Sequence, residues 1–208
     1  FNNNGNRAEE IRSEEGGVYF DGNKELKPGV IAVHVINGET IIANGVTVKS
    51  VADGSITPKE NIALMAGGNK NPNITTVVPS LTWRDPDFEI VNNGTIDFSA
   101  AENSTAIYAV SARVKNNGEI KVAKNSTAIY GIYKADTQKY DGTTANKFNV
   151  ETTDSSKITL GGGSTGVYLV NAEAIPNFKG EIKADAGATK NVGVYVINGN
   201  SPVSADNK

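Results

Sequence analysis

NNGTIDF (Asn92 to Phe98) followed by NSTAIYA (Asn103 to Ala109) returns almost unchanged as NNGEIKV (Asn116 to Val122) followed by NSTAIYG (Asn125 to Gly131). Weaker copies follow in the same order: SSKITL (Ser155 to Leu160) before GSTGVYLV (Gly163 to Val170), and KGEIKA (Lys179 to Ala184) before NVGVYVI (Asn191 to Ile197). The isoleucines of the first motif, Ile96, Ile120, Ile158 and Ile182, are spaced 24, 38 and 24 residues apart, a period of 24 broken by one insertion of 14. Self-similarity at such a period is the mark of a repeat architecture.

The units contain strands rather than helices. Ile96 and Phe98 alternate with Thr95 and Asp97, Ile120 and Val122 with Glu119 and Lys121, and Ile182 and Ala184 with Glu181 and Lys183. That period of two puts apolar side chains on one face and charged ones on the other. One unit alone cannot bury its apolar face, but units stacked in parallel place isoleucine over isoleucine and close a continuous core. The expected fold is all-β, a right-handed parallel β-helix of about 24 residues per coil. Asn92, Asn116 and Asn117 fall at corners, where asparagine tolerates left-handed backbone and bonds its own chain. Gly161, Gly162 and Gly163 lie between two strands and read as another corner.

The second motif has two apolar columns, Ile107, Ile129, Val167 and Val194 beside Tyr108, Tyr130, Tyr168 and Tyr195. Either column can face inward; tyrosines outside would form a ladder able to meet a sugar or a protein. Upstream, VIAVHVI (Val30 to Ile36), GETIIANGVTV (Gly38 to Val48) and GSIT (Gly54 to Thr57) resemble strands, and NIALMA (Asn61 to Ala66) takes the place of NSTAIYA. On that reading Gly54 to Gly94 is one enlarged coil of 40 residues. RAEEIRSEE (Arg7 to Glu15) alone has a helical look, so residues 1–15 are expected to be a lead-in or cap and 16–208 the β-helix. Eight or nine coils would give a stack of roughly 40 Å.

The composition agrees with frequent turns, with Gly occurring 22 times and Asn 25 times in 208 residues. Lys+Arg number 20 against 23 Asp+Glu, so the basic excess expected of a nucleic-acid binder is missing. The absence of cysteine removes disulfide scaffolds, thiol nucleophiles and Cys-based zinc sites, and it favours export of a chain that must cross a membrane unfolded. No run of about 18 apolar residues could span a bilayer. The start at Phe1 without a leader suggests a processed or excised piece of a longer protein.

Catalytic constellations are sparse. His34 is the sole histidine and sits in an alternating strand, which favours a structural role. Asp85, Asp87 and Glu89 could present carboxylates to Ca²⁺, although a solvated loop explains them more simply. Polysaccharide lyases and hydrolases built on β-helices are the catalytic alternative; they require acidic and basic groups to converge in a groove, whereas here the two signs alternate. Asn-x-Ser/Thr sequons occur at Asn73, Asn93, Asn103 and Asn125, and they read as repeat chemistry.

The tandem NNGxIxV…NSTAIY units resemble the passenger repeats of the large fusobacterial (type V) autotransporter adhesins, most clearly from Asn92 to Asn198. The resemblance implies display on the bacterial surface, an outer-membrane anchor elsewhere in the full protein, and adhesion to host-cell or bacterial receptors, protein or glycan, as a virulence function. No cofactor or metal is expected, nor nucleic acid, nor membrane contact by this segment; a purely structural stalk is the other non-catalytic alternative. Two insertions interrupt the repeat, Gly67 to Asp87 and Lys134 to Lys147. Insertions vary without disturbing the coil that holds them. Their exposed aromatic and charged residues, Trp83, Arg84, Lys139, Tyr140 and Asp141, are therefore the candidates for receptor contact.

Overall fold

The computed structural model describes residues 9–13, 17–35, 39–66, 89–110, 112–132, 150–170 and 178–197. Among these residues there is no helix. The strands are β1 (Glu9–Ser13), β2 (Val18–Phe20), β3 (Lys24–Leu26), β4 (Ile31–Val35), β5 (Thr40–Ile42), β6 (Thr47–Ser50), β7 (Ile62–Ala66), β8 (Glu89–Asn92) and β9 (Thr95–Phe98). They continue as β10 (Thr105–Val110), β11 (Arg113–Asn116), β12 (Glu119–Val122), β13 (Thr127–Ile132), β14 (Val150–Thr152), β15 (Lys157–Leu160), β16 (Thr165–Val170), β17 (Glu181–Ala184) and β18 (Val192–Ile197).

These strands form three sheets in which the pairings between named strands are all parallel. Sheet A has seven strands in the order β1-β4-β7-β10-β13-β16-β18, sheet B five in the order β14-β11-β8-β5-β2, and sheet C six in the order β17-β15-β12-β9-β6-β3. From β1 to β16 the chain visits A, B and C in strict rotation, so each strand lies beside the strand three elements earlier. Parallel neighbours need a long crossover, and from β1 to β16 that crossover contains one strand of each of the other two sheets.

The register confirms the repeat. Ile96 pairs with Ile120, Ile120 with Ile158 and Ile158 with Ile182 in sheet C, below Val48. Ile96, Ile120 and Ile158 are buried, and Ile182 at the end of the stack is half-buried. In sheet A the inward column runs Val33, Leu64, Ile107, Ile129 and Val167, each without solvent exposure. Burying each such side chain contributes about 1.5–3 kcal/mol, which offsets the ordering of the short strands. Alternation is not perfect in this sheet, since Ala106 and Ile107 are adjacent and both belong to the core.

Several expectations are corrected. Residues 9–13 are not helical: β1 pairs with β4 through Glu9 and Ile31, because Ile11 and its neighbours complete the edge of sheet A. GSIT is not a strand of the stack, since Asp53 and Ile56 bridge each other in a tight antiparallel turn and Ile56 is 51 % exposed. The true predecessor of β9 is β6, so the enlarged coil begins earlier than Gly54. Among the described residues the largest sheet holds seven strands, against the eight or nine coils expected.

Two columns of buried polar side chains hold the corners. In sheet B, Phe20 and Ile42 give way to Asn92, Asn116 and Thr152 in the same column. Asn92 and Asn116 are therefore buried strand residues, not left-handed corner residues. The adjoining corner is so tight that a Cβ on Gly118 would stand 2.0 Å from the Gly94 carbonyl oxygen, so only glycine fits there.

The left-handed positions held by residues other than glycine lie at the entry to sheet A. Asn103 (φ 54°) and Asn125 (φ 55°) occupy them, as do Glu60 (55°) and Lys190 (62°), and Gly163 (71°) takes the same place before β16. The next residue turns its side chain inward. Asn61 N donates to Ser104 Oγ (3.0 Å), Ser104 N to Ser126 Oγ (3.1 Å), Ser126 N to Ser164 Oγ (3.0 Å) and Ser164 N to Asn191 Oδ1 (3.0 Å). Each NST triplet thus encodes a left-handed corner, a rung of this ladder and a strand start.

Candidate functional site

The stack presents three kinds of surface. The first is the corner between sheets A and B. Here the chain leaves Ala66 and returns at Glu89, and leaves Ile132 and returns at Val150. Trp83 and Arg84 belong to the first of these connections, and Lys139, Tyr140 and Asp141 to the second; all five lie outside the described residues, as do Asp85 and Asp87. Their anchoring strands are placed. β7 and β13 flank β10 in sheet A, so the two connections depart two layers apart, roughly 10 Å at the spacing of paired strands. By contrast, the connections from B to C and from C to A within the stack are all described and short, except for the segment Val51 to Asn61.

The second surface is the outer face of sheet A. Because Ile107, Ile129 and Val167 are fully buried, Tyr108, Tyr130 and Tyr168 are the half-exposed column, and Tyr195 is 47 % exposed. Their rings stack at centroid distances of 4.9, 5.2 and 5.2 Å with interplanar angles of 5°, 10° and 32°. Ring faces in such a ladder are occupied by each other, so the inner rings offer edges and hydroxyls to solvent rather than the flat faces on which sugars stack. Burial, followed by the neighbouring tyrosine, pushes the Tyr108 and Tyr130 phenols above their ordinary 10.0.

The same column continues upstream through Met65, His34 and Arg12. His34 is buried and its Nδ1 lies 2.9 Å from Glu9 Oε1, while Arg12 Nη1 lies 3.1 Å from Glu9 Oε2. Partial burial pushes the Glu9 carboxyl up, but hydrogen bonds from His34 and Arg12 outweigh it and hold the group below its ordinary 4.5. The histidine thus joins β4 to β1.

The third surface is the outer face of sheet C, where Glu25, Lys49, Asp97, Lys121, Thr159 and Lys183 form one column. Glu119, Lys157 and Glu181 form the adjoining one. Ion pairs join Lys49 to Glu25 (2.8 Å) and Lys121 to Glu119 (3.1 Å). Charges of both signs therefore alternate along the stack as well as along each strand. At one corner of this face a shallow, open groove gathers Glu102, Glu119, Asp185, Lys121, Lys124 and Lys183. No group of three or more His, Asp or Glu side chains suited to a metal ion occurs among the described residues, Glu89 included.

The Ser and Asn ladder has a signal in the sequence, NST recurring in register at the head of the second motif, but read as a strand motif and a sequon it does not show that the serine turns inward. No protein-family model, curated protein or solved structure matches the chain.

Proposed function

We propose that this chain is a passenger segment of a surface-displayed adhesin of the autotransporter type, its coils wound as a right-handed β-helix of about 24 residues, binding host-cell or bacterial receptors without catalysis. The observation that supports the reading most is topological: the connections that hold Trp83, Arg84, Lys139, Tyr140 and Asp141, the two longest between successive strands, both run from sheet A to sheet B. A scaffold with its longest connections on one edge suits recognition, because such segments can change while the core stays constant. Right-handed winding is the usual hand of a parallel crossover. The outer face of sheet C, with charges of both signs, suits a solvated flank.

Replacing residues 67–87 and 134–147 each by a Gly-Ser turn, and measuring attachment of the folded protein to host cells, tests the proposal. Attachment should fall while the β-sheet circular dichroism is kept. Unchanged attachment after both replacements would overturn the loop assignment, and no attachment by the intact chain would leave the stalk reading in its place.

A second reading has one observation in its favour, the groove of three acidic and three basic residues beside Glu119 and Lys121. Were the protein a polysaccharide lyase or hydrolase, those residues would supply the acid and base. New reducing ends released from acidic polysaccharides by the intact chain, and abolished by Glu119→Gln, would establish it over adhesion.

A further inference from the structure

The Asn-Gly dipeptides of the described residues occupy two unlike settings. Asn93-Gly94 and Asn117-Gly118 lie inside the stack. Gly94 N donates to Asn92 Oδ1 (3.2 Å) and Gly118 N to the Asn92 carbonyl (3.0 Å), and neither glycine has space for even a Cβ. Asn44-Gly45 projects outward. It occupies the centre of a turn closed by Val46 N to the Ala43 carbonyl (3.2 Å), with Gly45 at φ +80° and nothing within 4 Å of where its Cβ would be. Both residues are exposed, and Gly45 N–H makes no hydrogen bond to the described residues.

We infer that Asn44 is a self-modification site, at which the side-chain amide is lost through a cyclic imide while the two stacked Asn-Gly pairs are protected. The deprotonated Gly45 backbone nitrogen attacks the Asn44 side-chain carbonyl carbon, the new N–C bond closes a five-membered ring, and ammonia leaves with the proton it needs. Water then opens the ring at either carbonyl, giving aspartate or its β-linked isomer at position 44. The reaction needs a free N–H and backbone freedom about it, and glycine supplies the least steric resistance. At Gly94 and Gly118 the same attack must first break a hydrogen bond and displace neighbouring backbone.

The product adds one negative charge and, in the β-linked form, one main-chain methylene between β5 and β6. The layer above is held on both sides of this turn, by Asn93 N to the Ile42 carbonyl (3.0 Å) and Thr95 N to the Val46 carbonyl (2.9 Å). The altered atoms lie outside those two bonds, so the stack keeps its register after modification.

The test is incubation of the intact folded chain in mildly alkaline buffer, followed by peptide mapping for the mass gain of about one dalton and for isoaspartate. A parallel sample in urea supplies the unfolded rates. In the folded chain Asn44 should convert at least about tenfold faster than Asn93 or Asn117, the factor that one backbone hydrogen bond is worth. The three rates should converge in urea, and Gly45→Ala should slow conversion at Asn44. Equal rates at the three sites in the folded chain, or a slower one at Asn44, would overturn the assignment.

Discussion

Asn92 donates through Nδ2 to Oδ1 of Asn116 at 2.7 Å, linking two buried side chains 24 residues apart in the chain but adjacent in the stack. Asn116 passes the pattern on, donating to Ser156 Oγ at 2.6 Å. Neither asparagine has solvent exposure, so no bulk water can take the place of the bond between them.

Asn116→Ala should therefore cost more than the loss of one ordinary hydrogen bond. It removes the short bond of the Asn92 amide and the donor to the Ser156 hydroxyl in a buried corner, a loss on the order of 2–4 kcal/mol. Urea unfolding of the variant should show a reduced midpoint. Asn117→Ala, on a half-buried neighbour whose Nδ2 bonds Asn93 at 2.7 Å, should cost less.

Ile120 and Lys121 are adjacent and should respond oppositely to a polar replacement. Ile120 is fully buried between Ile96 and Ile158, so Ile120→Asp should destabilise by several kcal/mol. Lys121→Gln removes one surface ion pair and should stay within about 0.5 kcal/mol. Lys121→Asp should be somewhat worse, because the new carboxylate would sit directly opposite Asp97 on the neighbouring strand. Thermal unfolding of the three variants checks the order.

Much of this contrast was legible beforehand. The period of 24 and the two-residue alternation placed Ile120 inside and Lys121 outside, because stacked strands leave each residue only two directions to face. The tyrosine column was not legible. Ile107 and Tyr108 are both apolar enough to bury, and Ala106 breaks the alternation that would have decided between them. Asn92 and Asn103 look equally like corner residues, yet one is a buried rung and the other a left-handed turn. Only their places in the sheets separate them, Asn92 ending a strand of sheet B and Asn103 standing just before a strand of sheet A. The segment Glu9–Ser13 misled because two glutamates and an arginine spaced along one short apolar residue fit a helix as well as an edge strand.

Glu9 makes the N-terminal edge of sheet A sensitive to acid. Its carboxyl is held below the ordinary 4.5 in the folded chain, so its charge stabilises fully above that value and the contribution is lost as pH falls through the folded pKa. The difference in unfolding midpoint between the parent chain and Glu9→Gln should shrink steadily as pH falls below 4.5. The group is partly exposed, so the effect should amount to about 1 kcal/mol or less.

The tyrosine ladder has the opposite sign at alkaline pH. Phenols of Tyr108 and Tyr130 hold their protons more tightly in the folded chain than in the unfolded one, so their contribution is complete below pH 10.0 and lost as pH rises through the folded values. Spectrophotometric titration should show tyrosines ionising above the ordinary value until the chain unfolds. Tyr108→Phe with Tyr130→Phe keeps the stacked rings and should reduce the alkaline loss of stability.

The claim on which the rest depends is that residues 38 positions apart become lateral neighbours in a parallel stack, as Lys121 and Thr159 do in sheet C. Paired strands bring such residues within about 5 Å on the same face, inside the span of a disulfide, and the chain has no cysteine of its own to interfere. Lys121→Cys with Thr159→Cys should therefore cross-link rapidly under mild oxidation with the fold retained, while Lys121→Cys with Ile158→Cys, one residue out of register and on the opposite face, should stay reduced. Equal cross-linking of the two pairs, or of neither, would contradict the stack.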